Sequence, residues 1–286
     1  MGYKILYKNK IGEVITELDV LAPNISFNAK AGQFVMVRLD EFAERIPLTI
    51  ADNDREKGII KLFIQDLGVS SKKLSFLEVG DEILDVLGPL GEPFETKYYG
   101  KVLVIGGGVG IAAIAPIIKE LTLEKNNVST IIGVRNRSLF FLEENLKKYS
   151  SELFLSSNDG SLGEKGFTSD ILTRLFEKNR NFDLVVAVGP IIMMKSIYDI
   201  VKKENEKRKK EIPVLVSLEV LMVDGIGMCG ACKIKYNNEY KFTCIDGPIF
   251  DAKYIDFDDI MNKQRMYKDK EKDALMKLKQ DLQNKI

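Results

Sequence analysis

Three cysteines and one aspartate lie close together in a glycine-rich stretch of the chain. The stretch reads Asp224-Gly-Ile-Gly-Met-Cys229-Gly-Ala-Cys232, and Cys244 follows after eleven further residues. Thiolates and carboxylates bind metal ions, and glycines let backbone amides approach a bound group because they carry no Cβ atom. This set of side chains indicates a metal centre.

The spacing of the four side chains narrows the choice of metal centre. Plant-type [2Fe-2S] loops have the spacing C-x4-C-x2-C and a distant fourth cysteine. This chain has the same spacing with an aspartate in the first position, and a carboxylate carries the same unit negative charge as a thiolate. We therefore predict a [2Fe-2S] cluster bound by Asp224, Cys229, Cys232 and Cys244. A zinc ion on the same side chains and three unliganded core cysteines are the alternatives.

A second glycine-rich segment lies between an apolar run and a helical pattern. The glycines of Gly106-Gly-Gly108-Val-Gly110 allow a pyrophosphate to approach the amides at a helix N-terminus, although such turns also occur for packing alone. A later segment again joins a strand to a helix, at the sheet edge where open α/β sheets bind ligands. The residues predicted to contact a dinucleotide are Gly106, Gly107, Gly108, Val109, Gly110, Gly189, Pro190 and Met194.

Two segments in the first third of the chain carry groups that suit a phosphate or a polar ring. Arg45-Ile-Pro-Leu-Thr49 places a guanidinium and a hydroxyl near one strand, and Gly68-Val-Ser-Ser71 offers amides and hydroxyls before a helix. An arginine can pair with a pyrophosphate. Each segment also has an ordinary explanation, because an arginine on a strand is usually solvated and serines before a helix usually cap it.

The composition excludes several kinds of enzyme. The 286 residues include no histidine, so Ser-His-Asp hydrolysis, zinc sites with histidine, and haem held by histidine are excluded. Lys plus Arg and Asp plus Glu each number 42, which predicts neither nucleic acid nor a membrane as a partner. An odd cysteine count with a C-x-x-C pair and no apolar leader favours a cytoplasmic protein.

The pattern along the chain predicts three folded parts and a tail. Short alternating runs predict an antiparallel β-barrel over 1–98, and compact apolar runs such as Leu184 to Val188 alternate with helical ones over 99–212. That alternation predicts a doubly wound α/β domain with a parallel sheet. A small cysteine-bearing module is expected over 213–255. The tail, 256–286, is predicted to form an amphipathic helix with an apolar stripe of Leu275, Leu278, Leu282 and Ile286.

Taken together, the motifs resemble the ferredoxin-NADP+ reductase superfamily. Within it, the chain is similar to a group comprising the electron-transfer subunit of dihydroorotate dehydrogenase and the small subunit of NADH-dependent reduced ferredoxin:NADP+ oxidoreductase, also called sulfide dehydrogenase. The resemblance spans nearly the whole chain. Besides the segments above, it includes Gly32-Gln-Phe-Val, Gly88-Pro-Leu-Gly91, Val188-Gly-Pro190 and Asp246-Gly-Pro-Ile-Phe250.

The resemblance implies FAD in the barrel, NAD(H) on the Gly106 loop and a [2Fe-2S] cluster. The flavin would exchange hydride with the nicotinamide and pass single electrons through the cluster to a larger partner subunit. Thr49 would lie near flavin N5, although it follows Arg45 by four residues where the family commonly has three. The residues implied for FAD are Arg45, Pro47, Leu48, Thr49, Gly68, Ser70 and Ser71.

Asp224 decides between the two members of the group. Dihydroorotate-type subunits have cysteine there, whereas the reductase-type small subunits have aspartate, so the resemblance favours electron-bifurcating NADH/ferredoxin:NADP+ transhydrogenation. The implied partner is a larger subunit with FAD and [4Fe-4S] clusters, similar to the glutamate synthase small subunit, which would handle ferredoxin and NADP(H). The alternatives are the dihydroorotate dehydrogenase subunit and, outside enzymes, a zinc-stabilised nucleotide-sensing protein. The preference for NAD over NADP is taken from the resemblance. The segment Val134-Arg-Asn-Arg137 does not indicate it, because it contains no acidic residue of the kind that often contacts the ribose of NAD.

Overall fold

The computed structural model describes residues 2–283 and begins with a unit of short strands. Its alternating residues fill one core, in which Leu18, Val35, Ile60 and Leu62 are completely buried. The elements of this unit are β1 (Tyr3–Ile11), β2 (Ile15–Leu21), α1 (Pro23–Asn28), β3 (Phe34–Arg38), β4 (Ile46–Asp54), β5 (Ile59–Gln65), α2 (Val69–Ser75), β6 (Glu82–Ile83) and β7 (Asp85–Leu90).

The seven strands form a nearly closed barrel. Their order is β6-β1-β2-β5-β4-β3-β7, and every pair is antiparallel. The two end strands, β6 and β7, are separated in the chain only by Leu84, whose amide donates to the carbonyl of Leu39. One continuous segment therefore joins both edges of the sheet, and the exposed strand edges that an open sheet would have are largely removed.

The second unit is an α/β domain. Its strands and helices alternate along the chain because buried apolar runs are followed by amphipathic ones. The elements are β8 (Lys101–Gly107), α3 (Ile111–Leu123), β9 (Asn127–Val134), α4 (Glu143–Tyr149), β10 (Glu152–Ser157), β11 (Glu164–Lys165), α5 (Thr168–Glu177), β12 (Leu184–Val188), α6 (Ile191–Arg208) and β13 (Val214–Ser217).

The remaining elements follow the α/β domain in the chain. They comprise a short hairpin, a strand that returns to the large sheet, and two helices. Their bounds are β14 (Lys233–Tyr236), β15 (Glu239–Phe242), β16 (Ile249–Asp251), α7 (Phe257–Arg265) and α8 (Lys268–Gln283).

The large sheet has the order β11-β10-β9-β8-β12-β13-β16. All neighbours are parallel except β13 and β16. Residues of α3 and α4 belong to the core on one face, and residues of α5 and α6 belong to the core on the other. Starting from β8, the chain adds β9, β10 and β11 on one side of this strand and then β12 and β13 on the other. The switch point lies between β8 and β12, and open α/β sheets bind ligands at such a point.

The structure differs from the predicted division of the C-terminal part. β13 and β16 were expected in the cysteine module, yet both pair within the large sheet. We therefore propose that the α/β domain extends through Ser217 and that Ile249–Asp251 also belongs to it. The expected single tail helix is two helices, α7 and α8, with a break at Met266 and Tyr267.

The predicted stripe of the tail is only partly within the described residues. Leu275 and Leu278 are half-buried on α8, which contacts α2 of the barrel. The side chain of Leu282 and all of Ile286 lie outside the described residues. No helix within residues 2–283 combines the length and the apolar character needed to cross a bilayer.

The barrel and the α/β domain share one hydrophobic interface. Phe63 of β5 stacks on Phe141, with ring centroids 4.6 Å apart. Phe94 belongs to the same buried cluster as the α3 side chains, and Lys119 Nζ of α3 lies 3.5 Å from Asp52 Oδ1 of β4. Because buried aromatic pairs dominate such interfaces, the two units are held in one arrangement rather than linked loosely.

Replacing Phe141 tests this interface. Phe141→Ala should lower the free energy of unfolding by about 3 kcal/mol, since a buried phenylalanine and its stacking partner are both affected. Urea denaturation of the purified protein provides the measurement. Phe42→Ala is the matched control, because that side chain is 94% exposed. Equal effects of the two substitutions would show that the aromatic stack does not join the units.

Candidate functional site

The cysteine loop lies against the barrel. Gly225 and Gly227 both have left-handed backbone, with φ of +76° and +80°, which glycine adopts without strain. A Cβ atom added at Gly225 would collide with Met36 Cγ of β3 and lie 3.1 Å from Leu90 Cδ1 of β7. The glycine is therefore required both by the turn and by the close approach of the loop to two barrel strands.

Asp224 organises the beginning of this loop. Its carboxylate accepts hydrogen bonds from the amides of Ile226 (3.0 Å), Met228 (3.1 Å) and Cys229 (2.6 Å). Desolvation opposes ionisation of the carboxyl group, but these amides and the adjacent Cys229 side chain lower its pKa. The lowered pKa favours the ionised carboxylate beside Cys229, as a ligand pair requires, and the three hydrogen bonds give Asp224 a second role in shaping the turn.

Cys232 and Cys244 form a second pair. Both side chains are 2% exposed, and their Sγ atoms lie 3.2 Å apart without a disulfide bond. Burial, together with the neighbouring Cys232, raises the pKa of Cys244 to about 12, whereas the Gly227 amide opposes this change. Two thiolates at this distance repel each other in a dry site, so they coexist only when a cation lies between them.

The donor set fits a binuclear cluster better than a single metal ion. Asp224 and Cys229 form one pair, Cys232 and Cys244 form the other, and a [2Fe-2S] cluster takes four such ligands. Cys229 is exposed, so one edge of the site reaches the surface.

The predicted dinucleotide loops meet at the switch point of the large sheet. A Cβ atom at Gly107 would collide with Met193 Sδ, and one at Gly110 would lie 2.5 Å from the carbonyl oxygen of Val188. These two glycines are therefore explained by the close packing of the loops after β8 and β12. Gly108 differs, because its φ is +56° and no atom beyond its chain neighbours lies within 4 Å of its Cβ position in the described structure.

The structure identifies Met193 as the methionine beside this loop. Met194 was predicted to contact the dinucleotide, but its side chain is 1% exposed and belongs to the core under α6. Met193 is half-buried and packs near both Gly107 and Gly189. The difference arises because successive residues of a helix point about 100° apart, and the sequence pattern did not determine the phase of α6. We place Met193 in the candidate site.

The predicted flavin residues lie at one end of two neighbouring strands. β4 and β5 are antiparallel, with Ile50 opposite Leu62, so the start of β4 lies beside the end of β5 and the loop before α2. Arg45 therefore lies at the same end of the barrel as Gly68. A Cβ atom added at Gly68 would have no atom other than its chain neighbours within 4 Å in the described structure. The strand pairing therefore groups the two segments that the sequence predicted separately.

Several of these side chains also have partners within the protein. Arg45 Nη2 lies 3.2 Å from Asp85 Oδ2 of β7, an ion pair that the sequence did not indicate. Ser71 Oγ accepts hydrogen bonds from the amides of Leu67 (3.1 Å) and Gly68 (2.9 Å), so it caps this turn. Thr49 and Ser70 are partly buried. Their predicted roles toward a flavin stay predictions.

The candidate flavin strand and the cysteine loop adjoin the same strand of the barrel. Pro47 of β4 is in register with Met36 of β3, and Met36 is the residue against which Gly225 packs. Adjacent strands lie about 5 Å apart, so one strand separates β4 from the loop. Met36 and Leu90 were not predicted as site residues, because apolar residues in a strand carry no sign of which loop will cover them.

The comparisons with known proteins agree with this arrangement. Residues 219–256 match a family model described as the iron-sulfur cluster binding domain of dihydroorotate dehydrogenase B. The chain is 41% identical, over 94% of its length and 93% of the relative's, to "Dihydroorotate dehydrogenase B (NAD(+)), electron transfer subunit homolog" of Thermotoga maritima. It is 30% identical, over 79% of its length and 87% of the relative's, to the corresponding electron transfer subunit of Fusobacterium nucleatum.

Two solved structures have a similar fold. One, from work on flavin-based electron bifurcation by the NADH-dependent reduced ferredoxin-NADP oxidoreductase, has a TM-score of 0.88 and 39% identity, with 97% of this chain and 98% of that chain covered. Phthalate dioxygenase reductase has a TM-score of 0.59 and 17% identity, with 82% and 86% covered, and so supports the fold alone.

The fold and the site together define an iron–sulfur oxidoreductase subunit of the ferredoxin-reductase type. The chain belongs to the family of dihydroorotate dehydrogenase B electron transfer subunits and their homologues. The predicted barrel, doubly wound domain and iron–sulfur module are confirmed, as is the predicted family resemblance.

Substituting Asp224 separates its two roles. Asp224→Ala should reduce iron to less than a quarter of the wild-type content while flavin stays bound, because the cysteine loop and the barrel site are built from different segments. Asp224→Cys should retain more iron than Cys232→Ser, because it keeps an anionic ligand. Iron and flavin are counted per chain after anaerobic purification. An unchanged cluster spectrum and redox potential in Asp224→Ala would remove Asp224 from the ligand set.

The contact between the loop and the barrel gives a further prediction. Gly225→Ala should reduce iron content by more than half, because the methyl group collides with Met36. Gly80→Ala is the control, since Gly80 has a φ of +100° and open space at its Cβ position. Both changes strain a left-handed residue by about 1–2 kcal/mol, but only the first displaces the loop. Equal iron contents in the two variants would contradict the proposed contact.

Proposed function

We propose that this chain transfers electrons between NAD(H) and a larger partner subunit, through FAD in the barrel and a [2Fe-2S] cluster in the cysteine loop. The observation that carries the proposal is the position of that loop, which packs on Met36 and Leu90 and is separated by a single strand from the candidate flavin strand β4. The dinucleotide loops lie at the switch point of the sheet, where open α/β sheets bind ligands.

Each of the three modules supplies residues for binding one group. Gly108 offers an open backbone turn at the start of α3 for a pyrophosphate, and Arg45 supplies a guanidinium beside the turn at Gly68. Asp224, Cys229, Cys232 and Cys244 supply four anionic ligands. When bound, FAD converts the two-electron chemistry of nicotinamide into single-electron transfers to the cluster. None of these roles requires histidine, which agrees with its absence from the chain.

The exposed surface around Cys229 supports a protein partner. Met228 is 83% exposed, and Leu221, Val223, Ile226 and Ile245 are also exposed. Large exposed apolar side chains are typical of a binding site for another protein. Here four of them lie within the eight residues before Cys229, and Ile245 follows Cys244. The relatives are named as electron transfer subunits, and we propose a larger subunit on this face, with FAD, [4Fe-4S] clusters and similarity to the glutamate synthase small subunit.

Two overall reactions remain candidates. We favour electron-bifurcating transhydrogenation involving NADH, ferredoxin and NADP(H), because the chain is 39% identical to the structure studied for that reaction and has aspartate at position 224. The second candidate is electron transfer for dihydroorotate oxidation, which the names of the relatives favour. A cytoplasmic location stays a prediction. Identification of the subunit that co-purifies with the native protein distinguishes the two reactions.

A larger side chain at Gly107, in the switch-point loop, tests the proposed function. Gly107→Val should lower the rate of flavin reduction by NADH at least 100-fold, because its side chain would displace Met193 and distort the loop beside Gly108. Stopped-flow absorbance under anaerobic conditions measures that rate. Dithionite, which needs no dinucleotide site, should still reduce flavin and cluster fully. Normal reduction of the variant by NADH would contradict the assignment of the site.

A further inference from the structure

Arg38 lies at the end of β3 and is directly opposite Asp85 of β7 in the strand register. Its Nε atom is 4.0 Å from Asp85 Oδ2, and Arg45 Nη2 is 3.2 Å from the same oxygen atom. Arg45 directly precedes β4, which pairs with β3. Two guanidinium groups from neighbouring parts of the barrel therefore meet at one carboxylate oxygen.

The charges of this cluster do not balance. Arginine stays ionised throughout the pH range in which proteins fold, so Arg38 and Arg45 share the single negative charge of Asp85. Among the described residues, no other carboxylate lies within 4.0 Å of either guanidinium. The cluster therefore carries an excess of positive charge, which favours an anionic ligand.

The guanidinium of Arg38 has free hydrogen-bond donors. Its Nε atom is shielded from solvent and has no hydrogen-bond partner in the part of the chain that the structure describes. The terminal nitrogens are not shielded in this way, and 29% of the side chain is exposed. A donor that is buried without an acceptor is unfavourable by itself. Arg38 is thus held against the barrel with its terminal nitrogens open to a ligand.

The alternation along β3 places Arg38 on the outer face of the barrel. Val35 and Val37 fill the barrel core, whereas Met36 packs against the cysteine loop. Because side chains alternate along a strand, Arg38 projects on the same side as Met36. Pro47 of the candidate flavin strand is opposite Met36 and shares this face. Arg38 therefore lies on the face that carries the predicted flavin residues of β4.

We propose that Arg38 and Arg45 together bind the pyrophosphate of FAD, with Arg38 supplying a second guanidinium. This proposal rests on the proposed function, because it requires FAD in the barrel. Each phosphate of the pyrophosphate carries a negative charge, and guanidinium groups bind phosphate oxygens through paired hydrogen bonds. Since Asp85 offsets part of the charge of Arg45, one arginine leaves the pyrophosphate incompletely neutralised. Arg38 is then a further binding residue for the flavin nucleotide.

Flavin binding to the full chain, after its flavin has been removed, tests the proposal without turnover. The probes are FAD and riboflavin, which has the same ring system but no phosphate, and isothermal titration calorimetry gives their Kd values. Arg38→Gln should raise the Kd for FAD about thirtyfold, which corresponds to about 2 kcal/mol, and should leave the Kd for riboflavin unchanged. Arg38→Lys, which keeps the charge but loses the planar fork, should raise the Kd for FAD by a smaller factor.

Arg55→Gln is the matched control, because Arg55 is exposed and follows β4 at the end opposite Arg45. Its Kd values should equal those of the wild type. If FAD binds equally well to Arg38→Gln and to Arg55→Gln, or if Arg38→Gln weakens FAD and riboflavin by the same factor, the role of Arg38 is overturned and the proposed function stands. If the wild-type protein binds neither flavin, both are overturned.

The salt dependence of FAD binding gives a second readout that does not need riboflavin. Because salt screens the attraction between charged groups, the Kd for FAD should rise less steeply with ionic strength in Arg38→Gln than in Arg55→Gln. Equal slopes would overturn the role of Arg38 even where riboflavin binds too weakly to be measured. Circular dichroism identifies a variant that has failed to fold, and Arg38→Lys then takes the place of Arg38→Gln in both measurements.

Discussion

The packing of the cysteine loop on the barrel is the contact on which the arrangement of the candidate site depends. Gly225 allows the loop to approach Met36 and Leu90 to a distance that no residue with a Cβ atom would permit. A neighbouring connection reinforces it, because the carbonyl of Gly247 accepts a hydrogen bond from the amide of Glu92 at 2.6 Å. Packed interiors transmit small displacements, so these contacts set the separation between the barrel and the metal ligands.

The same region also attaches the loop to the large sheet. Leu218, which follows β13, donates through its amide to the carbonyl of Pro248, and Ile249 begins the strand that pairs with β13. The cysteine module is therefore anchored to the barrel on one side and to the α/β domain on the other. The cysteine module is thus in contact with both units that carry the candidate flavin and dinucleotide segments.

The sequence predicted the elements with strong local signals. The apolar run Leu184 to Val188 coincides with β12, because a buried parallel strand is apolar on both faces. The spacing from Asp224 to Cys232 predicted the loop that matches the iron-sulfur family model, because ligand spacing is local in the chain. Domain boundaries that depend on strand pairing were harder to predict from the sequence. For example, β13 belongs to the large sheet rather than to a separate cysteine module.

Contacts between distant segments carry no comparable signal. The approach of Gly225 to Met36 joins residues separated by most of the chain, and the pairing of Arg45 with Asp85 depends on barrel closure. The choice of Met193 over Met194 depends on the rotation of α6, which the core determines.

A flavin and a two-iron cluster held by one chain should both accept electrons from NADH. The measurement is an anaerobic titration with NADH, followed by flavin absorbance and by electron paramagnetic resonance of the cluster. With about one FAD and one [2Fe-2S] cluster per chain, full reduction should take up about three electrons per chain, and both signals should change. A protein that contains neither iron nor flavin after anaerobic reconstitution, or a cluster that NADH leaves oxidised while the flavin is reduced, would show that this chain does not transfer electrons from NADH through a flavin to a cluster.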